Sequence, residues 1–275
     1  KLFDLQAAGF FFSRLANPTV DSVEQKIAAL EGGVGAICTS SGQAAAFLSV
    51  MNIAQSGDHI VACSNLYGGS INLLAVTLKR FGVEVSFIEE LSKAFRPNTK
   101  AVFSETIANP STRVLDIERI AKLAHDHGVP LIIDNSFATP YLCRPIEYGA
   151  DIVMHSTSKY IDGHALSVGG VVVDSGNFDW LAHKDKFPEF AQPDESYHGC
   201  KYVEAFGKAA YIVKARVQLI RDLGFLQSPQ NAFYINQGLE TLPLRMDRYS
   251  SNALVWRSYE MTGITYHNHS TCLCA

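Results

Sequence analysis

No apolar run in this sequence approaches the roughly 20 residues that a helix needs to cross a bilayer, so no membrane-spanning helix is expected. Basic charge is not in excess: 23 Lys and Arg stand against 27 Asp and Glu, a net charge of −4. The cations are scattered, with no basic run and no basic stripe interleaved with aromatics, so nucleic acid is not an expected partner. The opening stretch, KLFDLQAAGFFFSR, lacks the layout of a signal peptide, because Asp4 and Gln6 break its short apolar pieces. Internal repeats, low-complexity tracts and heptad arrays are absent. Cysteine is sparse, with six in 275 residues. Cys38, Cys63, Cys143 and Cys200 are far apart and lie in or near apolar segments. That pattern suggests reduced, mostly buried thiols in a cytoplasmic protein and argues against a disulfide framework. The chain starts at Lys1 and not at Met, so residues before it are expected.

What is present is enough apolar material, 47% of residues, to bury a large core. The first two-thirds alternate short apolar runs with helical patterns. Strands are expected at Val34 to Cys38, His59 to Cys63, Val83 to Ile88, Lys100 to Phe103, Leu131 to Asp134, Ile152 to His155 and Gly170 to Val173. Helices are expected after SSGQ (Ser40 to Gln43), from about Ser70 to Phe81, and from Ile117 to His127. One long helix is expected from Lys201 to Leu223, with two more at Asn231 to Glu240 and Arg245 to Leu254. Continuous β-branched runs separated by helices imply an α/β fold: a mostly parallel sheet with helices on both faces. LQSP (Leu226 to Pro229) reads as a boundary. It divides an arm over 1–19 and a large domain over 20–225 from the start of a second domain over 226–275.

In such sheets ligands bind beyond the carboxyl ends of the strands, and three loaded segments fall there. Gly42 and Gln43 open a helix after the first strand, where unpaired N–H groups suit a phosphate. Asp134 ends the strand LIID. Lys159 follows the strand IVMH, and Ser156 and Ser158 precede it at alternate positions. Singly, each has a commoner explanation: a turn-forming Asp, a solvated Lys, a Ser-Gly turn. Together they match what pyridoxal 5'-phosphate requires, namely a lysine for the Schiff base, a carboxylate for the ring nitrogen, and amides and hydroxyls for the phosphate.

Three stretches carry a resemblance: DNSFATPY (Asp134 to Tyr141), GADIVMHSTSKY (Gly149 to Tyr160) and GHALSVGG (Gly163 to Gly170). They resemble the cofactor signature of the Cys/Met-metabolism family of pyridoxal phosphate enzymes, over about Phe11 to Leu254. ATPYLCRP, VVDSGNFDW, FPEF, SYHG, ARVQLIRDLG and QGLETL are most similar to its O-acetylhomoserine sulfhydrylase branch. The resemblance implies the aminotransferase-like fold type I. It implies that Lys159 is the Schiff-base lysine, that Asp134 pairs with the pyridine nitrogen, and that Gly42, Gln43, Ser156 and Ser158 hold the phosphate. Tyr67, in NLYGG, would stack on the ring and assist proton transfer. Asn109, in ETIANP, would sit near the cofactor hydroxyl and the substrate carboxylate. Arg14 would reach the phosphate of a neighbouring subunit, making the protein a homodimer or homotetramer with shared active sites. The implied reaction is γ-replacement on O-acetyl-L-homoserine by sulfide or a thiol, giving homocysteine or methionine.

Two departures accompany the resemblance. Phe12 stands where family members typically have Tyr, which removes a hydrogen bond worth about 1 kcal/mol. After Leu254 the resemblance is expected to stop, leaving no counterpart of the family's carboxylate-binding arginine. The tail puts His267, His269, Cys272 and Cys274 within eight residues. The spacing is not that of a standard zinc module, and no metal site is expected. The alternatives are a cystathionine γ-synthase or γ-lyase of the same family, or a truncated member that does not catalyse. A dinucleotide-binding oxidoreductase is disfavoured, because EGGVGAI lacks the G-x-G-x-x-G spacing and precedes its strand.

Overall fold

The computed structural model describes residues 9–88 and 94–261, so the His/Cys tail over 267–274 lies outside the described residues. Seven strands form one sheet: β1 (Gly35–Thr39), β2 (His59–Cys63), β3 (Glu84–Ile88), β4 (Thr99–Glu105), β5 (Leu131–Asp134), β6 (Ile152–His155) and β7 (Gly170–Asp174). Their order is β1-β7-β6-β5-β4-β2-β3. β7 is antiparallel to both of its neighbours, and every other pairing is parallel. The expected mostly parallel sheet is therefore present, and each expected strand lies within two residues of its predicted ends.

The sheet is covered on both faces, which explains why its central strands read as unbroken apolar runs. Alternate residues of one strand feed opposite cores: Ile132 and Met154 pack on one side, Ile133 and Val153 on the other. The first side is covered by the helix Gly42–Met51 and by the helical segments over 202–223. The second is covered by Pro18–Glu31, Ile117–Asp126 and Pro229–Glu240. Each fully buried Ile, Leu or Val contributes roughly 1.5–3 kcal/mol, so this two-sided burial is the main force that holds the strand ends in place.

Three of the longer helical regions differ from expectation. Pro18–Glu31 was not anticipated, although its signals are ordinary. Asn17 caps it, accepting from the N–H of Thr19 at 3.0 Å, Pro18 opens it, and Gly32 closes it at φ 80°. The single helix expected over Lys201 to Leu223 is broken. Tyr202–Phe206 ends at Gly207, which adopts φ 54°, and the helix restarts at Ala210. The helix at the far end is longer than expected, running Leu242–Met261. Among the described residues, no helix is long and apolar enough to cross a membrane, and the four cysteines are free.

Candidate active site

All strands except β7 run in the same direction, so the carboxyl ends of β1, β4, β5 and β6 share one edge of the sheet. The site is assembled there. Ser41 caps the helix Gly42–Met51 by accepting from the Ala44 N–H at 3.1 Å. The amides of Gly42 and Gln43 belong to its first turn, where N–H groups have no partner within the helix. A Cβ at Gly42 would lie 2.5 Å from Ser156 Cβ and 2.9 Å from Ser156 Oγ. A Cβ at Gly69 would run into the side chain of Gln43 and the ring of Tyr67. Backbone and side chains thus close into a cradle that tolerates no added methyl group. Gly42→Ala should cost about 1–3 kcal/mol through displacement of the Ser156 turn. It should also weaken pyridoxal phosphate binding, as read by thermal unfolding and by absorbance titration.

Asp134 ends β5. Its Oδ1 accepts from both the N–H (2.9 Å) and the hydroxyl (2.6 Å) of Ser136. Ser136 Oγ in turn accepts from the Ser156 N–H at 2.6 Å. One hydroxyl therefore links the strand-end carboxylate to the cradle at Gly42 and Ser156. Burial pushes the Asp134 carboxyl above the usual range, and the Ser136 hydrogen bonds and nearby His155 pull it partly back. His155 itself is fully buried and donates to Glu31 at 2.6 Å. No Lys or Arg pairs with Asp134 among the described residues. Asp134 is thus a carboxylate that lacks a cation and is held at the mouth of a cradle.

Lys159 lies in the turn after β6, with an exposed side chain. Its N–H donates to Ser156 O at 3.3 Å, and its carbonyl accepts from Gly163 N–H at 2.8 Å. The Ser158 hydroxyl exchanges hydrogen bonds with Gly169, donating to O at 3.2 Å and accepting from N–H at 3.0 Å. Tyr67 is 47% exposed, which is high for a large ring. Tyr67 and Asn109 are joined through one residue. Glu105, at the end of β4, accepts from the Tyr67 N–H at 2.6 Å and from the Asn109 N–H at 3.2 Å. Arg14 stands apart. It donates to the carbonyl of Arg221, and its guanidinium lies 4.9 Å from the Phe12 ring centroid.

Ser136 and Glu105 were not singled out in the sequence. Both lie inside stretches quoted for other residues, DNSF and ETIANP. A hydroxyl two positions after the strand-end Asp, and a carboxylate four positions before the Asn, were the available signals. A separate cavity of about 180 Å³, lined by His125, Asp151, Phe178 and His183 among others, contains none of these residues. It lies by Asp151, at the opposite, amino-terminal end of β6.

The sequence model of the Cys/Met metabolism PLP-dependent enzymes matches residues 1–259. The chain belongs to this family. The match extends past both expected limits, Phe11 and Leu254. Among relatives, the chain is 47% identical to the homocysteine/cysteine synthase of Saccharomyces cerevisiae, over 98% of this chain and 64% of that protein. It is 49% identical to the O-acetyl-L-homoserine sulfhydrylase of Leptospira meyeri, over 92% of this chain and 60% of that one. An O-acetylhomoserine (thiol)-lyase structure from Campylobacter jejuni superposes with a TM-score of 0.89 at 38% identity, over 92% of this chain and 64% of that chain. That structure carries N'-pyridoxyl-lysine-5'-monophosphate. The chain spans about three-fifths of the length of the curated relatives it matches. The site fits the family's cofactor: Asp134 lacks a cation that a protonated pyridine nitrogen supplies, and the Gly42–Ser156 cradle offers amides and a hydroxyl to a phosphate.

Proposed function

We propose that this member of the Cys/Met metabolism PLP-dependent family carries out γ-replacement on O-acetyl-L-homoserine with sulfide or a thiol, giving homocysteine or methionine. The observation that carries the reading is the Asp134–Ser136–Ser156 chain of hydrogen bonds. It ties the carboxylate for the ring nitrogen to the phosphate cradle and to the turn that bears Lys159. The names of the similar proteins favour O-acetylhomoserine over the alternatives of the family. Residues 20–225 form the cofactor domain, the residues from 226 onward begin a second domain, and the setting is the cytoplasm.

When bound, pyridoxal phosphate supplies an electron sink for the negative charge that develops next to the amino-bearing carbon. Lys159 would hold it and, as a free amine, would move protons at Cα and Cβ of the substrate. Asp134 keeps the ring nitrogen protonated. The Gly42 and Gln43 amides, with the Ser156 hydroxyl, hold the phosphate. Ser158 joins them by giving up its donated bond to Gly169. Tyr67 covers the ring and assists the proton transfer at Cα, and Asn109 orients the substrate carboxylate. Arg14 is free of the other site residues in its own chain, which accords with service to a neighbouring subunit's phosphate. In balance, acetate leaves Cγ, hydrosulfide adds there, and the proton taken from Cα is returned.

The test is product analysis of the purified protein with pyridoxal phosphate and O-acetylhomoserine, with and without sulfide. Sulfide-dependent homocysteine is expected. A 2-oxo acid formed without sulfide would point to a γ-lyase. Cystathionine formed from added cysteine would point to cystathionine γ-synthase. No product from a protein that binds cofactor would point to a non-catalytic member.

A further inference from the structure

Glu105 is a carboxylate at the site edge that accepts two backbone hydrogen bonds, yet it has no part in the chemistry above. It is the last residue of β4, in register with Asp134 on β5, and only 5% exposed. Each of its oxygens serves one backbone N–H, Oε1 that of Tyr67 and Oε2 that of Asn109. These amides belong to different loops. Tyr67 follows β2 and immediately precedes the helical segment Gly68–Asn72, which has no side-chain cap of its own. Asn109 lies in the loop that leaves β4. The Asn109 loop is braced internally, with the Ala108 N–H donating to Arg113 O at 2.9 Å and the Thr112 N–H to Ala108 O at 2.7 Å. Such bonds fix the loop's shape but not its position relative to Tyr67. Glu105 supplies that cross-link.

The residue type matters. An ionised carboxylate offers an acceptor on both oxygens and no donor, so it alone among acidic and amide side chains can receive one N–H group on each of its two terminal atoms. The arrangement carries a cost. Burial, with Asp134 as a like charge on the adjacent strand, raises the Glu105 carboxyl to about 7. A side chain that only filled space there would avoid the cost, whereas one that anchors two loops offsets it through charge-assisted hydrogen bonds.

We propose that Glu105 is a positioning residue whose carboxylate clasps the backbone amides of Tyr67 and Asn109 and so sets the stacking ring and the substrate-facing amide side chain relative to Asp134. The proposal rests on the reading above for the roles of Tyr67 and Asn109. It goes beyond that reading by assigning their mutual placement to one side chain that touches neither cofactor nor substrate. Two consequences separate it from a merely structural role. Glutamine at 105 keeps one acceptor and turns a donor toward the other amide, so it releases one loop. Alanine releases both.

The experiment uses the purified protein with Glu105→Gln and Glu105→Ala. It reads residue-resolved amide hydrogen exchange, absorbance titration with pyridoxal phosphate, and kcat and KM for O-acetylhomoserine. In the glutamine variant the Asn109 amide, which makes the longer bond, should exchange at least about tenfold faster while Tyr67 changes little. KM should then rise roughly fivefold with a smaller change in kcat. In the alanine variant both amides should exchange faster, the cofactor dissociation constant should rise, and kcat should fall by about tenfold or more. Unchanged exchange at both amides in the alanine variant overturns the clasp. So does faster exchange with no change in cofactor affinity, kcat or KM. Exchange is measured without cofactor, so a wild-type protein that binds no pyridoxal phosphate would overturn the functional reading and leave the clasp to be judged on exchange.

Discussion

Replacing Lys159 with alanine will leave a folded protein that has lost the absorption band of lysine-linked pyridoxal phosphate and at least about a thousandfold of its turnover. The expectation of a clean separation comes from the structure. The contacts Lys159 makes are backbone ones, to Ser156 O and from Gly163 N–H, and its side chain is exposed. Truncation at such a position changes stability by no more than about 0.5 kcal/mol. The turn that carries it stays in place because Ser158 and Gly169 exchange hydrogen bonds and the Asp162 N–H donates to Thr157 O at 2.9 Å. Lys159→Arg serves as the second arm. Arginine keeps the charge but stays protonated at any accessible pH, so it cannot attach the cofactor. If charge near the phosphate were all that mattered, the arginine variant would retain most of the cofactor affinity and some turnover. Loss of the band in both variants, at unchanged unfolding temperature, establishes covalent attachment as the function of this side chain. A band that survives in Lys159→Ala would remove the lysine from the site.

The legible parts of this protein were those in which one residue carries its own signal. The strands were readable because both of their faces are buried, so Ile60 to Ala62 or Ile152 to Met154 admit no polar residue at all. Asp134 and Lys159 were readable because a charge at the end of such a run is chemically conspicuous. The helix Pro18–Glu31 was missed because its apolar face is interrupted: Glu24 and Glu31 are buried within it. Each has a charged or ionisable partner distant in sequence, Glu24 in Arg216 at 2.5 Å and Glu31 in His155. A sequence cannot show that a glutamate will be neutralised 192 residues away. The helix over 201–223 reads as continuous through Gly207 because its apolar spacing continues on both sides, and periodicity alone does not reveal a positive φ. Ser136 and Glu105 escaped for a third reason. Their roles are relations between other residues, Ser136 between Asp134 and Ser156, Glu105 between Tyr67 and Asn109. Such relations exist only after four strands have brought their ends to one edge. The fold was therefore more legible than the site, and within the site the groups proposed to meet the cofactor were more legible than those that hold them.

Asp134→Asn should move cofactor affinity and stability in opposite directions. The amide oxygen can still accept from the N–H and hydroxyl of Ser136, so the link onward to Ser156 is preserved. What is lost is the negative charge, and with it the partner that keeps the ring nitrogen protonated. Removing one member of a buried ion pair costs about 3–5 kcal/mol, so pyridoxal phosphate should bind roughly a hundredfold to several thousandfold more weakly. Turnover should fall further, since a neutral ring is a poorer electron sink. The cofactor-free protein should gain stability. Burial raises the folded-state carboxyl above its ordinary value. A group raised in this way stabilises the fold below its unfolded value and loses that contribution as the pH climbs through the folded one. Once the pH exceeds the folded-state value, the wild-type carboxylate is charged in both states and bears the cost of burial, and asparagine does not. The mutant's unfolding midpoint should therefore gain on the wild-type midpoint as the pH rises above the ordinary carboxyl range, and the two should converge as the pH falls toward that range. Adding saturating cofactor should reverse the order, because only the wild type gains the full binding energy. An unchanged dissociation constant would mean that Asp134 does not face the ring nitrogen. A lower midpoint without cofactor would mean that its carboxylate is better satisfied in the fold than the Ser136 hydrogen bonds alone can explain.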